Sequence, residues 1–171
     1  LASDDGAAGH RLAAQQEACM IAELRLVIPG EPVAQGRPRA FKLPNGQIRT
    51  YDPQKSRIWK ATAQQHIRAA LDRAGVTEGV AFDGPVRCSL VAVFTCPRSH
   101  WRKNPLPRRA HTKRPDIENV GKAFMDSATG LAWIDDAQVC ELEIRKVVGA
   151  QGEEPRVEAL IYRVSGVAEI P

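Results

Sequence analysis

The chain has 171 residues, of which 43% are apolar and 26% are charged, and its formal net charge is +4. This length and composition are typical of one globular domain with a real core, and they exclude a disordered or fibrous protein. No apolar run approaches the roughly 20 residues that a membrane-spanning helix needs, which predicts a protein without a membrane segment.

Residues 1–19 lack the basic start and the long apolar core of a signal peptide. Patterned sequence begins just after Met20, so we expect a non-native or disordered extension followed by a single domain over residues 20–171. The four cysteines show no C-x-x-C spacing, so neither a zinc site nor a redox motif is indicated. A reducing cytoplasm is the simplest location.

The first half of the chain has the pattern of a strand, an irregular segment and a helix. Residues 22–28 alternate as a strand, and residues 31–51 read as a loop or loose hairpin around Asn45–Gly46. Asp52 is predicted to be the N-cap of a helix that ends at Gly75. Its predicted apolar stripe comprises Ile58, Trp59, Thr62, Ala63, Ile67, Ala70, Leu71 and Ala74.

The second half predicts a buried strand over residues 85–95, a long basic loop over residues 96–115 and a helix over residues 116–129. Two further strands are predicted, over residues 138–148 and 156–164. The order β-α-β-α-β-β predicts an α/β (α+β) domain, with two main helices packed on a small mixed sheet.

Positive charge is concentrated in two acid-free stretches. Four cations lie between Glu31 and Asp52, and eight lie between Asp83 and Asp116. Such clusters indicate a polyanionic partner such as nucleic acid, although a solvated arginine-rich surface is the alternative. Trp101 could stack on an unpaired base or anchor its own loop. The predicted contacts to the nucleic-acid backbone are Arg37, Arg39, Lys42, Arg102, Lys103, Arg108, Arg109, Lys113 and Arg114.

Two acidic motifs follow these cations, KRPDIENVGK at 113–122 and D-D-A-Q at 135–138. Taken separately, they have ordinary explanations. Asp116 suits a helix N-cap, Glu118 lies four residues before Lys122, and Asp135 and Asp136 suit a turn.

Taken together, the motifs suggest a metal site if residues 130–134 return Asp136 to the turn that carries Asp116 and Glu118. Three carboxylates within ~4 Å would repel by several kcal/mol per pair at an effective dielectric constant of about 20, so such a cluster needs a cation. Hard oxygen ligands favour Mg²⁺ or Mn²⁺, and Lys122 could stabilise a transition state beside them. The combination is typical of a metal-dependent nuclease.

The run R-P-D-I-E-N-x-x-K-A-x-x-D, followed by W-I-D-D-A-Q-V, resembles the RusA-type Holliday junction resolvases, which are common in prophages and bacteriophages. The resemblance is specific over residues 113–146 and extends more loosely from Met20 onward. It implies a homodimeric α/β domain. It also implies a Mg²⁺-dependent endodeoxyribonuclease, with Mn²⁺ as a substitute, that resolves four-way DNA junctions by paired symmetric nicks in recombination and repair.

By this resemblance, Asp116, Glu118 and Asp136 match the metal-binding acids and Lys122 matches the catalytic lysine. Glu118 departs from the motif, which usually has Asp there, and its side chain reaches one methylene farther. The matching positions that would support the site are Asp135, Asp126 and Asn119. A dimer also has a physical rationale, because an open four-way junction is approximately two-fold symmetric.

Two other functions stay open at this point. One is a protein that binds branched DNA without cutting it. The other is a nuclease that acts on flaps or other phage replication structures.

Overall fold

The computed structural model describes residues 21–164, so the extension expected over residues 1–19 lies outside the described residues. The predicted element order is confirmed. The segment predicted as a loop or loose hairpin contains a small hairpin, and one short strand is added. In chain order the elements are β1 (Glu23–Pro29), β2 (Arg39–Lys42), β3 (Ile48–Tyr51), α1 (Gln54–Arg73), β4 (Val86–Phe94), β5 (Arg109–Ala110), α2 (Ile117–Ala128), β6 (Val139–Val148) and β7 (Arg156–Arg163). Short 3₁₀ turns occupy Arg98–His100 and Asp136–Gln138.

The main sheet has five strands in the order β1-β7-β4-β6-β5. Strands β4 and β6 are parallel, and the other neighbouring pairs are antiparallel. A parallel pair needs a crossover connection, which here contains the basic loop (residues 96–115) and α2. Strands β2 and β3 form a separate two-stranded sheet.

Alternating apolar residues turn one face of the sheet toward the helices. Leu24, Leu26 and Ile28 of β1 are buried while their neighbours in the strand are exposed. Helix α1 packs on β1 and on α2, and α2 packs on β6. This arrangement confirms the predicted α+β class. The largest fully buried side chains include Trp133, Phe82, Phe124, Ile28, Ile67, Leu71, Leu90 and Ile161.

Helix α1 departs from the prediction at its start. It begins at Gln54 with Pro53 as the N-cap residue, so Asp52 does not cap it. Ile58 is 59% exposed, whereas Ser56 is buried. The Ser56 hydroxyl donates to the Ala34 carbonyl (3.1 Å) and accepts from the Gly36 N–H (3.1 Å), which turns this side of the helix toward the preceding loop.

Helix α2 runs antiparallel to β6. The Lys146 ammonium, near the end of β6, donates to the carbonyls of Lys113 (2.8 Å) and Pro115, just before α2 begins. Halfway along, a Cβ on Gly121 would collide with the Ile144 side chain, so glycine allows a close approach. The helix ends before Gly130, which has a φ of +78°. The start of α2 therefore lies near the end of β6.

No helix within residues 21–164 is long and apolar enough to span a membrane.

Candidate functional site

The start of α2 carries the first acidic motif. Asp116 is the N-cap residue with extended backbone, but its side chain makes no capping hydrogen bond. The ion pair that the spacing predicts between Glu118 and Lys122 is not formed. The side chains of Asp116, Glu118 and Lys122 are all exposed. The Asn119 carbonyl instead accepts the Gln35 N–H (2.7 Å). Within residues 21–164 the carboxylates of Asp116 and Glu118 have no protein partner.

The second acidic motif lies at the other end of α2. Asp136 Oδ1 accepts hydrogen bonds from the Thr129 hydroxyl and from Trp133 Nε1 (3.2 Å). Trp133 is fully buried, so it anchors this carboxylate to the core. Asp136 is therefore held in position by two donors rather than left mobile in a turn.

The neighbours of Asp136 have structural roles. Asp135 Oδ1 accepts from the Ala137 N–H (2.8 Å) and caps the short 3₁₀ turn. Gln138 Oε1 accepts from the Ile134 N–H (2.7 Å), and its amide donates to the carbonyls of Phe82 (3.2 Å) and Gly84 (3.0 Å). These bonds fix the turn against the segment that precedes β4.

The two acidic motifs do not meet within one chain. A helix of 12 residues is about 18 Å long, with Asp116 at one end and the Thr129–Asp136 contact at the other. We expected residues 130–134 to return Asp136 to the first turn of α2, beside Asp116. This is wrong for a single chain, because Asp136 lies beside Thr129, just after the last residue of α2. Accordingly, residues 21–164 contain no group of three or more acidic, His or Cys side chains that could hold a metal ion.

Between the two ends, one face of α2 carries a ladder of polar side chains. Glu118, Lys122, Asp126 and Thr129 follow at spacings of three or four residues and so lie along one side. Lys122 is exposed in the middle of this ladder, one turn from each acid. The exposed part of this face thus presents an acid, Glu118, followed by a cation, Lys122.

Asp126 is tied to α1 through a cluster that sequence reasoning missed. Lys60 binds both Asp52 (2.7 Å) and Asp126 (3.1 Å). Burial would lower the pKa of Lys60, but the hydrogen bonds with Asp52 and Asp126 outweigh it and raise that pKa. Hydrogen bonds from Lys60 and from Gln35 (3.1 Å) lower the pKa of the Asp52 carboxyl. No local pattern could have revealed Lys60, because it lies 66 residues from Asp126.

Residues 37–51 are hereafter called the basic hairpin. The cations of this segment are available to a ligand. The hairpin contains β2, β3 and the turn between them. Its four cations are exposed, and none has a hydrogen-bond or ion-pair partner within residues 21–164. They are Arg37, Arg39, Lys42 and Arg49.

The basic loop is engaged by the rest of the protein at two of its predicted contacts. Arg108 binds Glu153 (2.5 Å) and Glu158 (2.9 Å), and Arg109 contacts His100 Nδ1 (2.5 Å). Arg108 and Arg109 thus already have protein partners, and their contact with nucleic acid stays a prediction. The remaining predicted contacts of the loop are exposed: Arg102, Lys103, Lys113 and Arg114.

Trp101 also belongs to its own loop. Its Nε1 donates to the Cys96 carbonyl (3.3 Å), and 45% of the residue is exposed. Of the two alternatives for this aromatic residue, the structure therefore favours the loop anchor.

Exposed cations without a protein partner within residues 21–164 indicate a surface for a polyanion. Comparison with protein families identifies the family to which the chain belongs. Residues 29–162 match the family described as endodeoxyribonuclease RusA, and the chain belongs to this family. It is also 32% identical over 148 residues to the uncharacterized protein YqaN of Bacillus subtilis (strain 168), covering 83% of this chain and 97% of that relative. Membership supports a nuclease that resolves Holliday junctions.

Proposed function

We propose that the protein is a divalent-metal-dependent endodeoxyribonuclease that resolves four-way DNA junctions by paired symmetric nicks, in recombination and repair. The observation that carries this proposal is the polar face of α2 in a member of the RusA family, where Asp116 and Glu118 have no protein partner in the described part of the chain. The compartment that we propose is the cytoplasm of a bacterial or phage-infected cell, and a prophage is the proposed source.

The proposed roles follow the two motifs. Asp116, Glu118 and Asp136 are the metal-binding acids, and Lys122 is the catalytic cation. Asn119, Asp126 and Asp135 support them. Carboxylate oxygens suit Mg²⁺, with Mn²⁺ as a substitute. In one chain, however, the three acids do not fit a single ion, because α2 separates them.

A homodimer could bring acids from opposite ends of α2 together, because each protomer would supply one of the two ends. Two-fold symmetry supplies a second copy of each end of α2 and also matches the symmetry of an open junction. We propose that Asp116 and Glu118 of one protomer act together with Asp136 of the other.

A cleavage assay tests the proposed activity. A synthetic mobile junction, labelled on each strand in turn, is incubated with Mg²⁺, Mn²⁺ or EDTA. We expect paired symmetric nicks with metal, no nicks with EDTA, and loss of nicking in Asp136→Asn with junction binding retained. Asp72→Asn removes another exposed Asp, near the end of α1, and is the control expected to cut normally.

Other outcomes would favour the alternatives. Junction binding without nicks in either metal would indicate a non-cleaving DNA-binding protein. Faster cutting of flaps than of junctions would indicate a nuclease of replication structures.

A mixing experiment tests the shared site. We expect the Asp116→Asn and Asp136→Asn proteins to be inactive alone, but their heterodimer would contain one intact combination of acids. We therefore expect co-expression to restore nicking of one junction strand. If every heterodimer stays inactive while the wild-type protein cuts, each chain has its own site.

A further inference from the structure

The basic hairpin stands apart from the main sheet. Within residues 21–164 its strands pair only with each other, and all eight strand residues are exposed. The turn between them contains Gly46 at a φ of +83°, and the Gly46 N–H donates to the Leu43 carbonyl (2.9 Å). The hairpin thus has a defined shape without contributing to the core.

The strand register places rings and guanidinium groups on the same face. Arg39 lies opposite Tyr51, and Phe41 lies opposite Arg49. Because alternate residues of a strand share a face, these four side chains project to one side, with each ring diagonal to the other ring. The two ring centroids are 5.8 Å apart, with an edge-on angle of 69°.

This face exposes apolar and charged groups that nothing in the described chain covers. Phe41 is 47% exposed and Tyr51 is 41% exposed. Arg39 and Arg49 have no partner within residues 21–164. The surface therefore combines free positive charge with open aromatic edges and faces. That combination suits phosphates together with bases, because bases stack on aromatic side chains whatever their sequence.

A second copy of the hairpin is a poor occupant. Each copy would bring four cations and no acid, so the two hairpins would repel each other. Nucleic acid has the complementary charge, and residues 29–162 match a family of enzymes that act on DNA.

We propose that the face formed by Arg39, Phe41, Arg49 and Tyr51 binds the branch point of a DNA junction. This inference rests on the proposed function and adds the part of the substrate that the hairpin contacts. Bases inside a duplex cover one another, so a ring can stack only where that continuity is interrupted, and strand exchange interrupts it at the branch point. The two arginines bind the flanking phosphates.

The test compares binding of a four-way junction with binding of a linear duplex of the same arm sequence, both in EDTA to prevent cutting. Replacing Phe41 or Tyr51 by Ala is expected to weaken junction binding by about 5- to 150-fold per ring, with duplex binding within about twofold of wild type. Tyr51→Phe keeps the ring and should bind normally. Ile48→Ala is the matched control, because Ile48 is apolar and 71% exposed on the opposite face of the hairpin.

A direct readout uses 2-aminopurine at the branch point. We expect its fluorescence to fall when the wild-type protein binds and to change little with the double variant Phe41→Ala, Tyr51→Ala. Equal weakening for junction and duplex, or equal weakening by Ile48→Ala, would overturn the inference. So would a change in oligomeric mass caused by the double variant, since the face would then join protein copies.

These outcomes separate the inference from the proposed function. A wild-type protein that neither binds nor cuts junctions contradicts both. A double variant that binds and cuts like the wild type contradicts the hairpin inference alone.

Discussion

The basic hairpin and the basic loop look alike in the sequence and differ in the folded protein. Both are rich in cations, free of acids and carry aromatic residues. In the structure, the cations of the hairpin have no partner in the described chain, whereas Arg108 of the loop binds two glutamates. The net charge of a segment therefore overstates the charge that it offers to a ligand.

The acids that engage the loop come from the turn before β7 and from β7 itself. Glu153 and Glu158 each bind Arg108, and each also binds Arg156 at a distance of 2.7 Å. Hydrogen bonds from Arg108 and from the Ala150 N–H lower the pKa of Glu153 to about 2. This network fixes the Arg108 part of the loop on the sheet, whereas the loop's other predicted contacts stay exposed, as the cations of the hairpin do: Arg102, Lys103, Lys113 and Arg114.

The largest expected effect comes from neutralising the hairpin. Replacing Arg37, Arg39, Lys42 and Arg49 by Gln should weaken junction binding on the order of 100-fold near 0.15 M salt. The slope of log affinity against log salt should fall by about 3 to 4, since each lost phosphate contact contributes about 0.9. Fluorescence anisotropy across a salt series measures both. Arg108→Gln with Arg109→Gln is the loop control, for which we expect a slope change below about 1; equal changes would erase the distinction between the segments.

Removing Arg108, one of the two arginines that bind Glu153 and Glu158, should instead affect stability. Arg108→Gln is expected to lower the free energy of unfolding by about 1.5 kcal/mol, because a network of ion pairs contributes more than an isolated exposed pair. Urea denaturation measures the change. Arg39→Gln in the hairpin should stay within about 0.5 kcal/mol of wild type, and a comparable loss there would show that its charge is also structural.

The same network predicts a pH dependence. The pKa of Glu153 is about 2 in the folded protein, against an ordinary value of 4.5, so the folded state binds fewer protons between these values. The contribution of this group is complete above about pH 4.5 and is lost as the pH falls toward 2. It is on the order of 1 kcal/mol after allowance for solvent screening.

Unfolding free energies measured across this range should fall less steeply in Arg108→Gln than in the wild type. Partial burial opposes the shift at Glu158, but Arg108 and Arg156 still lower its pKa, so it acts in the same direction. Parallel curves for the two proteins would contradict the assignment.

The smallest effect is expected at Trp101. Trp101→Phe removes the hydrogen bond to the Cys96 carbonyl, at a cost of about 0.5 kcal/mol in stability. Junction affinity should stay within about twofold of wild type, because the ring serves its own loop. A tenfold loss of junction binding with normal stability would return Trp101 to the DNA-binding surface.

Much of the fold follows from local patterns. Alternation at Leu24, Leu26 and Ile28 identifies β1, and the glycine at position 130 marks the end of α2. The asparagine–glycine pair at 45 and 46 identifies the hairpin turn. Each signal lies within a few residues, where backbone preference and side-chain period act directly.

The predictions from the sequence that were wrong concern residues whose partners lie outside the local pattern. Aspartate is a common N-cap residue, but the carboxylate of Asp52 binds Lys60 and Gln35 instead. Ile58 fits a helical stripe, yet Ser56 is buried in its place because its hydroxyl bonds the preceding loop. A local pattern cannot show such partners.

By itself, the sequence determined the order of the main elements, most of the residues that face the core and the two acidic motifs of the family, because these depend on short spacings. Only the tertiary structure decided which cations remain free and at which end of α2 each acid lies. The reason is the crossover between β4 and β6. It sets α2 antiparallel to β6, so Asp136 meets Thr129 instead of Asp116.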